Sequence, residues 1–439
     1  MKKFENIEKY VFSVLFLVGL FIFAGFSMRE SMPVLKETVQ RLADHIQELN
    51  TSGYRKTYAV VTGENSDSEN QIEDAQRVMD AVSYGLLEID SDILENVYKR
   101  YDWIEAYGAL NRAMGKNEVN GFDYALDKNG AYNSLNFWND VSDADIRRYS
   151  QQLYMLEQDV EAHGGKMLFM SYPNKYNEAW NSGYTGVPYN DYNSKMDELL
   201  LWNRRYGIDS IDYRELLADS GLTFEEMFYK TDHHWTGYTA FLAYQELVEH
   251  LNEEYDAGLD EDGYYRDINN YEVTWHENMF LGSAGRNVGI SFSGDELEDF
   301  QTLEPKFSGN ITWNGRTGDY TDTVLQEEKL EYEDIYLSDP YAYYMAGVNP
   351  KDSIVNNDNP DGLKVFFIRD SFASPMIIDM IPFCSQIDCV WGKYATDEYV
   401  KEMIAEGDYD YVFVGYYTTD ILPNFFHFYE NDYTKEQEE

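Results

Sequence analysis

Two short stretches far apart in the chain carry residue types whose chemistry is complementary. Tyr229-Lys230-Thr231-Asp232-His233-His234-Trp235-Thr236 offers a carboxylate and an imidazole two residues apart. Val365-Phe366-Phe367-Ile368-Arg369-Asp370-Ser371-Phe372-Ala373 ends a strand-like apolar run in a serine and then turns helical. In an extended segment Asp232 and His234 point to one side and His233 to the other. An aspartate so placed orients the histidine and stabilises the imidazolium that forms when it takes a proton from a serine. Ser371 would emerge at the C-terminal end of its strand, where open α/β folds place their sites. Its own N–H and the helix dipole behind it favour negative charge on a bound oxygen. Each stretch alone has a plainer reading. A serine after a strand is also a good N-cap, and paired histidines are often surface residues or metal ligands. No further metal ligands stand out nearby. The two stretches together give Ser371 as nucleophile, His234 as base and Asp232 as its orienting partner, with no metal and no cofactor.

These residues need a scaffold, and the pattern around them is that of a parallel α/β sheet. Short apolar strands are expected at Lys166–Ser171, Ile208–Ile211, Val365–Ile368, Gln386–Trp391 and Tyr411–Gly415. Helical patterns alternate with them: Ser142 to His163 with Ser142 as N-cap, Tyr192 to Tyr206 ending at Gly207, Thr236 to Leu251, Phe372 to Met380 and Asp397 to Ala405. Residues 252–359 break the rhythm. They are acidic and rich in Tyr, Asn and Gly, and read as an insertion of loops and short strands over the site. Within them Phe280-Leu281-Gly282-Ser283-Ala284-Gly285-Arg286 has small residues that let backbone approach a ligand closely, so Gly282 is a binding candidate. Phe122 to Gly130 reads as a strand entering an Asn-Gly turn.

The N-terminal part is different. Tyr10 to Phe26 is an uncharged apolar run of 17 residues preceded by Lys2, Lys3 and Lys9. That is the short end for a spanning helix, and the lysines place its N-terminal side in the cytoplasm. The expectation is an uncleaved single-pass anchor at residues 1–28, with the large domain outside the cell membrane. Met32, Leu35, Val39, Leu42, Ile46 and Leu49 then repeat at intervals of three and four over fewer than three heptads. This suits a short coiled-coil stalk or a helix packed on the main domain. Residues 29–118 are thus a helical stalk with further N-terminal helices, and 119–430 the main domain.

Composition excludes more than it selects. The 439 residues carry 80 acidic and 34 basic side chains, a net charge of −46, which leaves no basic footprint for nucleic acid. The 39 Tyr and 8 Trp suit a sugar-binding cleft, or are ordinary core and surface residues. Cys384 and Cys389 lack metal-ligand spacing. An oxidising compartment would allow a disulfide; a strand-like setting favours two buried apolar side chains.

The Asp-His-His-Trp block resembles the signature of the DHHW proteins. These are similar to the alginate O-acetyltransferases of the SGNH-hydrolase-like superfamily and, more distantly, to the D-alanyl transfer protein of teichoic acid synthesis. The resemblance spans roughly Val119 to Tyr417. It implies a three-layer α/β/α SGNH-hydrolase-like domain with a parallel sheet of about five strands. The Asp/His block precedes the serine block by about 137 residues, the circularly permuted order of the acetyltransferase relatives. In that family the Asp and the second His of Asp-x-His-Trp act with the Ser of Asp-Ser-Phe, which carries over to Asp232, His234 and Ser371. The implied activity is O-acyl transfer to a cell-surface or secreted polysaccharide. The implied partners are a glycan acceptor, an acyl donor and a membrane-bound O-acyltransferase that delivers the acyl group. An esterase of the same fold and an inactive scaffold of a polysaccharide assembly are the alternatives. The sequence departs from the family where Arg369 replaces the usual glycine, and the oxyanion glycine and asparagine have no clear equivalents. Candidates for donor or substrate contacts are Phe372, Arg369, Tyr416, Tyr417 and Lys175, the last in a Pro-x-Lys turn resembling one in the alginate relatives.

Overall fold

A computed structural model describes residues 18, 21–41, 96–127, 130–135, 141–177, 179–180, 191–294, 297–331 and 334–432. The chain divides into two compact units, residues 1–104 and 105–439. In the first, residues 21–41 are helical. Most of the expected anchor, the end of the stalk and the polar segment 63–74 lie outside the described residues. Among the described residues no helix is long and apolar enough to cross a membrane.

The second unit is built on an eight-stranded sheet. Its strands are β1 Lys166–Tyr172, β2 Ser210–Asp212, β3 Asn310–Trp313, β4 Arg316–Asp319, β5 Lys351–Asn356, β6 Leu363–Arg369, β7 Cys384–Trp391 and β8 Tyr411–Tyr417. Their order is β2-β1-β8-β6-β7-β5-β3-β4. The first five in this order are mutually parallel, and they are the five read from the sequence. The other three are antiparallel additions from the insertion. The sheet is therefore mixed and larger than the expected parallel one. β5 pairs with β7 from Lys351↔Val390 to Val355↔Gln386 and so extends the sheet beyond its parallel half.

Strand residues alternate between two cores, as the two-residue repeat requires. Val365, Phe367 and Phe413 pack on one face with helices α3 Gly237–Tyr255 and α4 Ala373–Met380. Phe366, Ile368, Val412 and Val414 pack on the other with α1 Asp143–Ala162, α2 Tyr192–Tyr206 and α5 Asp397–Gly407. Ser142 caps α1 in a capping box with Asp145, and Gly207 ends α2 at φ 84°, a left-handed turn that glycine adopts without strain. The insertion also forms a two-stranded ribbon, Tyr271–Phe280 with Glu298–Pro305. Tyr124–Leu126 and Tyr132–Ser134 pair antiparallel, while the turn residues 128–129 lie outside the described residues. Cys384 and Cys389 are free and buried, with burial pushing both thiols up.

Candidate active site

The Asp-His-His-Trp segment is a tight loop closed at both ends before α3 begins. Phe228 and Trp235 form an isolated antiparallel bridge, and Thr236 N–H donates to Met227 O at 2.9 Å. Thr236 caps α3 by accepting from Thr239 N–H, and its hydroxyl donates to Glu226 O at 2.7 Å. Trp235 is fully buried edge-on to Tyr172 and Phe372, ring centroids 5.3 Å away in each case. The indole thus locks the loop against the residue that follows Ser371.

The structure brings Asp232, His234 and Ser371 into one hydrogen-bonded chain. His234 Nδ1 lies 2.5 Å from Asp232 Oδ1, and His234 Nε2 lies 2.6 Å from Ser371 Oγ. Asp232 is nearly saturated. Its Oδ1 also accepts the His234 N–H at 2.9 Å, and its Oδ2 accepts the Ser283 N–H at 2.7 Å. Burial pushes the carboxyl pKa up, but the two neighbouring histidines and these donors outweigh it and hold it well below 3.8. Tyr341, buried, stacks on the His234 ring at 3.7 Å and 12° and limits its rotation. Ser371 follows the end of β6. It does not cap α4, whose N-cap is Phe372 with no side-chain bond, so its hydroxyl is left for His234. Its N–H has no acceptor among the described residues.

Asp370 builds the turn under the serine. Its carboxylate accepts the N–H of Phe372 at 2.9 Å and that of Tyr417 at the end of β8. Burial pushes this carboxyl well above its ordinary range. The Phe372 N–H is thereby spent and is not a free oxyanion donor. Three further candidates are corrected in the same way. Arg369 is completely buried, with one nitrogen 3.0 Å from Asp352 Oδ2 and the other 2.9 Å from Ser374 Oγ. It ties β6 to β5 from within the core, closed off from solvent. Tyr416 points into the opposite core and donates to Phe425 O at 2.8 Å, because neighbouring residues of a strand face opposite ways. Gly282 packs directly against the Asp232 backbone. A Cβ there would lie 2.2 Å from Asp232 Cβ, so the glycine lets the 282–283 backbone reach the Asp232 carboxylate.

Lys175 is buried and donates to three carbonyl oxygens, Tyr132, Lys230 and Asp232, at 2.7, 2.9 and 2.6 Å. Burial lowers its pKa to about 8. All three donors of an ammonium are spent, so it positions the Asp232 loop rather than binding substrate. Glu298 holds the loop from the other side. It accepts from Thr231 N–H at 2.6 Å, from the Thr231 hydroxyl at 2.5 Å and from the Lys230 N–H. Tyr417 stacks on Phe372 at 4.6 Å and 12° and lines a cavity of about 270 Å³ beside the histidines. That cavity is also lined by Tyr124, Asn133, Asn174 and His233. His233 is a correction: it does not turn away, and its ring lies 3.8 Å from that of His234. The loop is too tightly turned for the two-residue repeat of an extended strand to apply.

Asp232, His233 and His234 offer ligand atoms within 4.8 Å of one another. Both ring nitrogens of His234 are already engaged, so an ion there would break the chain to Ser371 or the bond to Asp232.

A serine just past the end of a central parallel strand, faced by an Asp-x-His loop and carried on a large mixed sheet between helices, is an SGNH-like α/β fold. Residues 133–278 match the family model of the SGNH hydrolase-like domain of the acetyltransferase AlgX. Among solved structures the chain is similar to PatB1 of Bacillus cereus with a sulfonyl adduct, at 17% identity and a TM-score of 0.55. That likeness covers 70% of this chain and 97% of PatB1. A DHHW family protein from Eubacterium siraeum is similar at 16% identity and a TM-score of 0.50, over 70% of this chain and 94% of that one. No curated protein matches the sequence.

Proposed function

We propose that the chain is an extracytoplasmic O-acyltransferase, transferring an acetyl group to a hydroxyl of a cell-surface or secreted glycan. The observation that carries this reading is the chain from Asp232 Oδ1 through His234 to Ser371 Oγ, with links of 2.5 and 2.6 Å. Ser371 Oγ attacks the acyl carbon of the donor, and His234 Nε2 takes its proton. Asp232 stabilises the imidazolium. The Ser371 N–H is given to the oxygen that becomes negative. The leaving group departs with the proton from His234. An acceptor hydroxyl then attacks the acyl-serine, loses its proton to His234, and Ser371 leaves with that proton. The family match to an acetyltransferase domain supports acetyl as the group moved. The lysine-flanked apolar run supports an N-terminal anchor with the large domain outside, where a membrane-bound O-acyltransferase partner supplies the acyl group. A protease added to intact, wall-stripped cells should then digest the large domain; full protection would refute that placement.

Ser371 is partly exposed, which favours hydrolysis as a competing outcome and keeps an esterase as the second reading. The deciding experiment supplies p-nitrophenyl acetate and a glycan, then looks for acetyl on Ser371 by mass spectrometry and on the glycan by NMR. Acetylated glycan is expected. Acetate alone indicates an esterase. Full turnover by Ser371→Ala would overturn both readings, and a wild type that neither acetylates Ser371 nor turns over the ester would leave the inactive scaffold.

A further inference from the structure

His233 has no task in the acyl-transfer chain, yet it is the histidine that faces the open space. Its Nδ1 lies 3.1 Å from Ser283 Oγ and 3.5 Å from Asp232 Oδ1. Its Nε2 has no partner among the described residues. Its side chain is 37% exposed, against 8% for His234, and the exposed part lines the cavity shared with Asn133, Asn174 and Tyr417. Ser283 thus fixes one nitrogen while the other is left without a partner among the described residues, on a ring that lines this cavity. Burial, followed by the neighbouring His234 charge, lowers the His233 pKa to about 3. The ring is therefore neutral at working pH and holds one hydrogen-bond position on Nε2.

The two rings are 3.8 Å apart, centroid to centroid. Adjacent hydroxyl oxygens of a sugar are separated by about one hydrogen-bond length, roughly 3 Å. Two imidazole rings in contact, tilted by 36°, can each take one of two such neighbouring hydroxyls. We propose that His233 Nε2 binds the hydroxyl next to the one being acylated, so that the site selects acceptors bearing a vicinal diol. The proposal rests on the acyl-transfer reading and deepens it. In the transfer step the bond from the acceptor oxygen to the acyl carbon forms, and the bond from Ser371 Oγ to that carbon breaks. The attacking hydroxyl's proton passes to His234 Nε2 and on to Ser371 Oγ. His233 neither gains nor loses a proton; it is a binding residue that orients the attacking oxygen through its neighbour. Water offers no second hydroxyl for it to hold, so the same contact favours transfer over hydrolysis.

The test uses the full chain with p-nitrophenyl acetate, EDTA in the buffer, and either trans-1,2-cyclohexanediol or cyclohexanol as acceptor. The ratio of acetylated alcohol to free acetate is read by chromatography. Wild type should favour the diol by about tenfold, the worth of one well-placed hydrogen bond. His233→Leu should reduce that preference to near one, and His233→Gln should recover part of it. A ratio is read because it is insensitive to how much of each variant folds. Acetylation of Ser371, followed by mass spectrometry in the same samples, reports the first half-reaction separately. Wild type that never acetylates Ser371 overturns the acyl-transfer reading and this proposal with it. Wild type that acetylates Ser371 without preferring the diol overturns the role of His233 alone, as does a preference that survives in both variants.

Discussion

At the scale of single residues, the site depends on how Asp232 is held. Its carboxylate has a backbone donor from Ser283 only because Gly282 has no side chain. Gly282→Ala would place a Cβ 2.5 Å from the Asp232 backbone Cα, inside any tolerable contact. Asp232 must shift, and a misplacement of this order costs about 10²-fold in turnover. We expect that loss in ester hydrolysis, with a melting temperature only modestly lowered; retained activity would show that the loop relaxes. The same carboxylate has a pH signature. Its folded pKa lies below the ordinary 3.8, so its stabilisation is present above 3.8 and disappears as pH falls toward the folded value. The melting-temperature gap between wild type and Asp232→Asn should therefore narrow on acidification below about pH 4; a constant gap would contradict the depressed pKa. Asp232, His234 and Ser371 were legible because each sits in a local pattern, a two-residue spacing or a strand-to-helix turn. Tyr341 and Ser283 were not. Nothing local to a tyrosine in Pro340–Tyr343 says that its ring will cover a histidine more than a hundred residues earlier. Lys175 and Arg369 were legible as unusual but not in their roles, because sequence shows charge and not what neutralises it.

At the scale of elements, the five parallel strands were readable because both their faces are buried. Such strands are continuous apolar runs, as in Val365–Ile368 and Val412–Val414. β3, β4 and β5 escaped because they are short and half-polar. β3 is Asn310-Ile311-Thr312-Trp313, buried only at alternate residues, and its partner β5 starts 41 positions after it. The Arg369–Asp352 pair, both side chains fully buried, ties this antiparallel half to β6 across the intervening β7. Asp352 Oδ1 also accepts from Trp313 Nε1, Asn314 Nδ2 and Asn349 Nδ2 at 3.1, 2.8 and 2.9 Å. Replacing Arg369 by Met leaves that carboxylate buried without its cation, a loss on the order of 3–5 kcal/mol. Replacing both, as Arg369→Met with Asp352→Asn, should cost less than Arg369→Met alone, because no charge is then stranded. Chemical denaturation of the two variants decides this. A double variant as unstable as the single one would mean that the pair contributes packing rather than charge balance.

At the scale of the whole molecule, every group in the site belongs to one of the two units. Asp232, His234 and Ser371 lie within residues 105–439, as do Lys175, Glu298, Asp370, Tyr341 and Ser283. Both cores of the sheet are drawn from the same unit. The unit boundary falls inside a helix, Arg100–Ala113, so a cut there would leave it frayed. A chain of residues 96–439 keeps that helix whole and omits the apolar run and the stalk. If the site is held only by its own unit, this shortened chain should melt cooperatively, and a sulfonyl fluoride should label Ser371 in it as fast as in the full chain. His234→Ala in the shortened chain should slow that labelling on the order of 10³-fold, since the serine then loses its base. Rapid labelling of the full chain with none in the shortened one would show that residues before 96 complete the site. The two-unit description of the chemistry would then fail, even though the hydrogen-bonded chain itself stood.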